Sequence, residues 1–351
     1  MQILVIGNFY QEAFGLHIAE TLDAMGHVTR RFEPGVKSNR VGGRIGHRWD
    51  QVRGVVHAAS DALPRVREHR MKALWRVAAS GPLDLVILCH DFLWPREVTK
   101  LKCDTGAKVA MWFPDALVNF GKGYFMNAPY DGLFFKDPYV VKMMTAVVQS
   151  PVHYLPECCN PRRHRLPEGE EPGEEYRCEI TTAGNPHSWR MATYTQLDEY
   201  DVKLWAAPVP LWMPGGPAAR MHQGRPVRNE EKAKAFLGAK IVLNNLYIAE
   251  VWGLNARAFE ATGIGAFQLL SWRPGLQQLF EDGKELVSFS GMEDLKQKID
   301  YFLTHEDERS EIAQAGKVRA LRDHTYTHRL ELLLETVAGR AEGYDLPEIR
   351  Y

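Results

Sequence analysis

Asn255, Arg257 and Glu260 stand in GLNARAFEATGIGAFQLL (253–270), a segment otherwise small and apolar. Arg257 and Glu260 are three apart and share one face of a helix, while Leu254, Ala258 and Ala261 point elsewhere. Asn255 and Arg257 suit phosphate oxygens, and Glu260 suits the hydroxyls of a sugar or ribose, each charged contact contributing roughly 1.5 to 3 kcal/mol. A surface ion pair contributing under about 1 kcal/mol is the plainer use of the last two. A second cluster is TTAGNPHSWR (181–190), where a strand runs into Gly184 and Asn185 and then a helix carrying Arg190. Gly184 permits a tight turn and close backbone approach, the new helix presents unpaired N–H groups, and Arg190 can fork onto phosphate oxygens. That is a diphosphate cradle; an ordinary turn with a surface arginine fits the same spacing. In the first half, His90 and Asp91 in CHDFLWP and Asp115 in MWFPDA stand at strand ends. Each could take a proton from a hydroxyl if its pKa is raised or a neighbour orients it. Otherwise Asp115 caps a turn after Pro114 and His90 bonds backbone.

These residues need a scaffold, and the apolar runs supply one. QILVIG (2–7), a helical repeat of Leu16, Ala19, Leu22 and Met25 stopped by Gly26, and VTRRF give strand, helix, strand, the start of a parallel sheet. A Gly-rich basic stretch, VKSNRVGGRIGHR, follows, and 49–80 reads as helix interrupted near Pro64. Strands are expected at 83–89, 107–113, 130–135 and 151–156, with a helix at PYVVKMMTAVVQ. NPRRHRLPEGEEPGEEYR (160–177) has no apolar periodicity and reads as a solvated connector. The alternation restarts with strands at 178–184, 200–206, 239–244, 265–270 and 285–289. Helices are expected near 188–197, 229–238, 253–264, 275–280, 291–304, 306–321 and 325–338. Both halves are α/β, and ligands of such sheets bind beyond the carboxyl ends of the strands.

With 351 residues, the chain exceeds the size at which single cores stop growing, so two domains are expected. Lys plus Arg is 43 against 44 for Asp plus Glu, without the basic surplus of a nucleic-acid binder. No apolar stretch is long enough to span a bilayer, and MQILVIGNFY lacks the features of a signal peptide, so a cytoplasmic location is expected. Five cysteines without a C-x-x-C pair favour reduced thiols, and Cys158–Cys159 near His153 and His164 fits no standard zinc spacing. No G-x-G-x-x-G or G-x-x-x-x-G-K-[ST] sits at a strand-to-helix junction, which argues against a dinucleotide oxidoreductase or a P-loop kinase. No D-x-D occurs either, so no metal and no cofactor are expected.

The stretch from LYIAEVWGLNARAFE to HTYTHRL resembles the C-terminal half of the CgeB-like, spore-maturation-type glycosyltransferases. It carries their N-x-R-x-F-E helix at Asn255–Glu260, their F-x-x-G-x-E step at Phe280–Glu285 and their closing H-T-Y-x-x-R at His324–Arg329. YLPECCNPRRHR is similar to the family's interdomain segment, and CEITTAGNPHSWR to its first C-terminal strand with G-N and a following Arg. The resemblance is specific over most of 150–335 and looser before it. It implies an α/β GT-B fold: two Rossmann-like parallel-sheet domains facing across a cleft, with a C-terminal helix crossing back to the first. The expected division is an acceptor-side domain at 1–160, a linker at 161–177, a nucleotide-sugar domain at 178–322 and a closing helix and tail at 323–351. The implied activity is metal-independent transfer, of the hexosyltransferase class, from a nucleotide-diphosphate sugar, UDP-type by preference, to a hydroxyl of a glycan, protein or small molecule. By the same analogy Glu260 holds the donor ribose, and Gly184, Asn185, Arg190 and Arg257 line the diphosphate. Many retaining enzymes of this fold carry a second glutamate eight residues before the first; here that position is Trp252, which leaves the anomeric outcome open. A nucleotide-sugar epimerase of the same fold and a silent sugar-binding or assembly protein are the alternatives.

Overall fold

The structure is a computed structural model that describes residues 1–34, 63–119, 123–209 and 216–348. The basic stretch VKSNRVGGRIGHR and the part of the expected helix before residue 63 lie outside the described residues.

The first sheet has six strands in the order β2-β1-β3-β4-β5-β6. They are β1 (Gln2–Ile6), β2 (Val28–Phe32), β3 (Leu85–Leu88), β4 (Lys108–Phe113), β5 (Gly132–Phe135) and β6 (Val152–Tyr154). The second has five in the order β11-β10-β9-β7-β8: β7 (Cys178–Ala183), β8 (Val202–Trp205), β9 (Ala239–Asn244), β10 (Gln268–Ser271) and β11 (Val287–Phe289). β1 runs parallel to β2 and β3, and β7 parallel to β8 and β9. Central strands such as LVIL of β3 are buried along their whole length, as strands covered by helices on both faces must be.

The helices are α1 (Phe14–Ala24), α2 (Pro64–Ala78), α3 (Pro95–Thr105), α4 (Pro138–Thr145), α5 (Ser188–Tyr194), α6 (Pro217–Met221), α7 (Glu230–Leu237), α8 (Ala256–Ile264), α9 (Leu276–Leu279), α10 (Met292–Thr304), α11 (Glu306–Asp323) and α12 (Tyr326–Ala338). Four of them, α2, α3, α4 and α6, open on a proline, whose missing N–H goes unneeded in the first turn. α2 therefore begins at Pro64, where the sequence pattern expected an interruption. α3 and α6 have no counterpart among the expected elements. In PREVTKLKCDT only Glu97, Val98 and Leu101 are buried, too few apolar positions to show a period. Its ends carry signals nonetheless: Pro95, Glu97 returning to the Trp94 N–H at 2.8 Å, and Gly106 in the left-handed region.

The chain divides into two compact units. One comprises Met1–Phe113, Lys122–Leu133 and Val148–Pro151; the other comprises Pro114–Gly121, Phe134–Val147 and Val152–Tyr351. The 160–177 segment has a single 3-10 turn, Glu174–Tyr176, yet it is anchored to the second unit. Tyr176 is buried against Trp205 and donates to Glu231, and His164 is buried as well. Among the described residues no helix is long and apolar enough to cross a membrane.

Candidate functional site

The second sheet reverses its strand order between β7 and β9: β8 lies beyond one and β10 beyond the other. Loops leaving the carboxyl ends of two such strands part in opposite directions, and the gap between them is where α/β sheets bind ligands. Gly184 and Asn185 follow β7 and lead to α5, which carries Arg190; Asn244 ends β9, and Asn245 follows it on the way to α8, which carries Arg257.

The two arginines converge there. Arg190 donates from Nε to the Asn245 carbonyl (3.2 Å) and from Nη1 to the Asn185 carbonyl (3.1 Å), and Arg257 donates from Nη1 to Asn244 Oδ1 (3.2 Å). Gly184, at φ +135°, makes the approach possible. A Cβ there would lie 2.3 Å from Arg257 Nη2 and 3.5 Å from Arg190 Nη1. The two arginine residues are largely buried, at 8% and 7% exposure, and neither forms an ion pair among the described residues. Burial first, and then the charge of Arg190, lower the pKa of Arg257 to about 10, so it stays charged at neutral pH. Two desolvated like charges side by side are unfavourable until an anion joins them. Two buried polar atoms at the same strand ends have no hydrogen-bond partner among the described residues: Thr182 Oγ1 on β7 and Asn245 Nδ2 after β9.

The neighbouring side chains hold this pair in place. Asn255 caps α8, its Oδ1 accepting the Ala258 N–H (3.1 Å), and exchanges two amide hydrogen bonds with Asn244 (2.9 and 3.0 Å). Through Asn244 it fixes Arg257. Tyr194 donates to Asn245 Oδ1 (2.9 Å). Glu260 lies nearly a turn further along α8 and faces Lys232, whose Nζ is 3.2 Å away, and His164 (3.9 Å). In the opening segment, Gly265 at φ +93° ends α8, and Gly263, inside the helix, admits Cys159, whose sulfur would be 2.8 Å from a Cβ there.

A second set of buried charges surrounds the loop between β9 and α8. Lys136, just past β5, pairs with Glu250 at 2.7 Å, and the Asp137 carboxylate accepts the N–H groups of Val251 (2.8 Å) and Trp252 (3.2 Å). Trp252 meets Tyr139 edge-on at 5.3 Å, so the residue at the variant glutamate position anchors the loop. Glu157, just past β6, is 3% exposed; burial pushes its carboxyl up to about 8, with Lys136 opposing and Asp115, Glu260 and Glu250 adding to the rise. Lys136 and Glu157 were not among the sequence candidates, although FFKD places a charge directly after the buried strand β5 and LPE places one three residues after β6.

The structure thus brings Gly184, Asn185, Arg190, Asn255 and Arg257 into one crevice, with Glu260 further along the same helix. Asp115 is exposed just past β4, and its charge acts on Lys136 and Glu157. His90 belongs to the other unit, its ring 4.5 Å from Phe113 and 5.4 Å from Phe92, beside Asp91, which accepts the Tyr124 N–H (2.8 Å).

The closing H-T-Y-x-x-R motif is a buried knot. Arg329, fully buried, donates to the carbonyls of Pro156 (3.0 Å), Glu157 (3.1 Å) and Asp323 (3.1 Å), to the Tyr344 hydroxyl and to His324 Nδ1 (2.9 Å). His324 must therefore carry its proton on Nε2, which donates to the Leu279 carbonyl (2.7 Å). Burial first, then Arg329, hold its pKa down to about 3, so the ring is neutral.

Two parallel α/β sheets, each with its order reversed beside its first strand, define the GT-B class of fold, and solved structures of that class match the chain over nearly its full length. Sucrose-phosphate synthase from Thermosynechococcus elongatus aligns with a TM-score of 0.67 at 12% identity, over 97% of this chain and 100% of that one. HepE of Anabaena in complex with UDP-glucose aligns with a TM-score of 0.62 at 9% identity, again over 97% and 100%. A glycosyltransferase from Rickettsia africae aligns with a TM-score of 0.59 at 14% identity, over 97% and 98%. In sequence, residues 188–335 match the model of a family described as glycosyl transferase-like. No curated protein matches the chain.

Proposed function

We propose that the chain is a glycosyltransferase of the hexosyl type, moving a sugar from a nucleoside-diphosphate donor, UDP by preference, to an acceptor hydroxyl without a metal. The observation that carries this reading is the Arg190–Arg257 pair, without an ion-pair partner among the described residues, converging on the Gly184 turn at the point where the sheet reverses its order. Glycosyl transfer builds negative charge on the departing diphosphate while the sugar passes through an oxocarbenium-like state. Two fixed guanidinium groups in a desolvated crevice answer that charge in the role a metal fills elsewhere. Glu260 is assigned to the ribose hydroxyls, which requires it to exchange part of its contact with Lys232. The 178–322 region is assigned to the donor and the 1–160 region to the acceptor. The match of 188–335 to a glycosyl transferase-like family and the UDP-glucose bound by HepE support the choice of donor.

The test is thermal shift of the purified protein against a panel of nucleoside diphosphates, followed by turnover of the matching nucleotide sugars in EDTA. UDP should raise the melting temperature, and turnover should survive chelation; collapse in EDTA with recovery on manganese would remove the metal-independent mechanism. Incubating donor without acceptor separates transfer from epimerisation, and failure of every nucleotide to shift melting would leave the silent binding protein.

Asp115 and His90 stand as the candidates for the acceptor base. Asp115 is the stronger, because its charge reaches Lys136 and Glu157. Asp115→Asn is expected to keep UDP affinity within about threefold while turnover falls by the ~10²–10⁴-fold typical of a general base. Full turnover in this variant would take Asp115 out of the mechanism.

A further inference from the structure

We infer that His187 is a third cationic contact for the diphosphate, one whose charge appears only when the anion occupies the arginine pair. The inference rests on the donor-site reading above and adds to it a residue and a proton. His187 is the residue before α5, three positions ahead of Arg190 on the same turn. The Asn185 carbonyl accepts both the His187 backbone N–H (3.0 Å) and Arg190 Nη1 (3.1 Å), so the His187 backbone and the Arg190 guanidinium share one acceptor. The ring itself is ordered from the other strand end: it stacks on Tyr247, in the loop after β9, with centroids 4.8 Å apart and planes 28° from parallel. The ring nitrogens hydrogen-bond to nothing among the described residues and are open to a ligand, since the residue is exposed.

The charges facing this ring come from three elements. Arg190 on α5 and Arg257 on α8 oppose its protonation, and Glu250 in the loop before α8 favours it. Partial desolvation of the ring by its neighbours and the two arginines outweigh the glutamate, and the ring's pKa lies below its usual 6.5 in the unliganded protein. A diphosphate seated between the arginines would cancel their field and place phosphate oxygens beside a ring that already needs no ordering. Protonation is then favoured, and an N–H of the imidazolium can donate to a phosphate oxygen.

The sign follows from linkage. A group whose pKa is higher in the complex than in the free protein binds a proton together with the ligand. Affinity therefore rises as pH falls through the bound-state pKa and levels off below the free-state value. Each unit by which the anion raises the pKa of the ring corresponds to about tenfold in affinity. UDP titrates too, but its own phosphate contributes equally to wild type and variant.

The experiment is calorimetric titration of the full chain with UDP between pH 5.5 and 8.5, in buffers of differing ionisation enthalpy, for wild type, His187→Gln and His187→Lys. The expected result is a proton taken up by wild type in excess of His187→Gln, and an affinity advantage of wild type that grows by about tenfold as pH falls and is absent at pH 8.5. His187→Lys, always charged, should bind tightly with the pH dependence of His187→Gln. Equal proton uptake and equal pH dependence in wild type and His187→Gln would overturn the inference while leaving the donor site intact. Failure of wild type to bind UDP at any pH would overturn the donor site and this inference with it.

Discussion

Replacing Arg257 with methionine is expected to lower UDP affinity by about 100-fold, the loss of one to two charged hydrogen bonds at roughly 1.5 to 3 kcal/mol each. The melting temperature of the unliganded protein should be unchanged or higher. The two halves of this expectation come from the same cause. Arg257 is buried beside Arg190 without a carboxylate partner among the described residues, so the free protein bears the desolvation and repulsion that the ligand later relieves. Methionine fills much of the same space and removes the charge, while Asn244 Oδ1 keeps its bond from Asn255. A residue with a purely structural role would behave oppositely, losing stability together with any binding. Gly184→Ala tests the geometry from the other side. Its Cβ would fall 2.3 Å from Arg257 Nη2, at a φ of +135° that side chains rarely adopt. Arg257 would be displaced and UDP binding weakened with no charge altered. Isothermal titration and thermal unfolding, run on both variants, read the two quantities separately.

Arg329→Met should have the largest effect on stability, about 3 to 5 kcal/mol, seen as a fall in melting temperature of about 10 °C. The side chain is fully buried, and all its N–H groups are directed at neutral acceptors on three separate segments: 156–157, 323–324 and Tyr344. Removing it leaves buried carbonyls without donors. The knot has a pH signature as well. His324 titrates near 6.5 when unfolded and is held down to about 3 when folded, so the neutral ring contributes stability that is lost as pH falls below about 6.5. UDP affinity of the folded variant, measured well below its melting temperature, should stay within about threefold of wild type. A large loss of affinity without loss of stability would instead make the motif part of the site.

Much of the scaffold was legible because buried parallel strands are written as short apolar runs; AKVAMWF, CEITTAG and AKIVLN each became a strand within a residue or two. α3 escaped because a helix resting on only three buried side chains has no apolar period to detect. For the site, Gly184, Arg190 and Arg257 were legible as types suited to phosphate, but the convergence of two arginines on one glycine joins segments more than 60 residues apart, and no local spacing encodes it. Arg257 and Glu260 share a helix face as their spacing required, yet they turn to different partners. Arg257 goes to Asn244 and Glu260 to Lys232 on α7, because the helix is packed along both flanks. Asn255 was read for its chemistry toward phosphate; a preference for the N-cap before an apolar helix was legible at the same position. Glu157 and Lys136 were missed because a charge after a strand is common, and only the packing of the second unit shows that these two are buried together.

The most direct measurement is a crystal structure of the protein with UDP. The account predicts phosphate oxygens within about 3 Å of both Arg190 and Arg257, lying over the Gly184 turn between the ends of β7 and β9. UDP bound elsewhere, with the two guanidinium groups left facing each other across an empty turn, would contradict it.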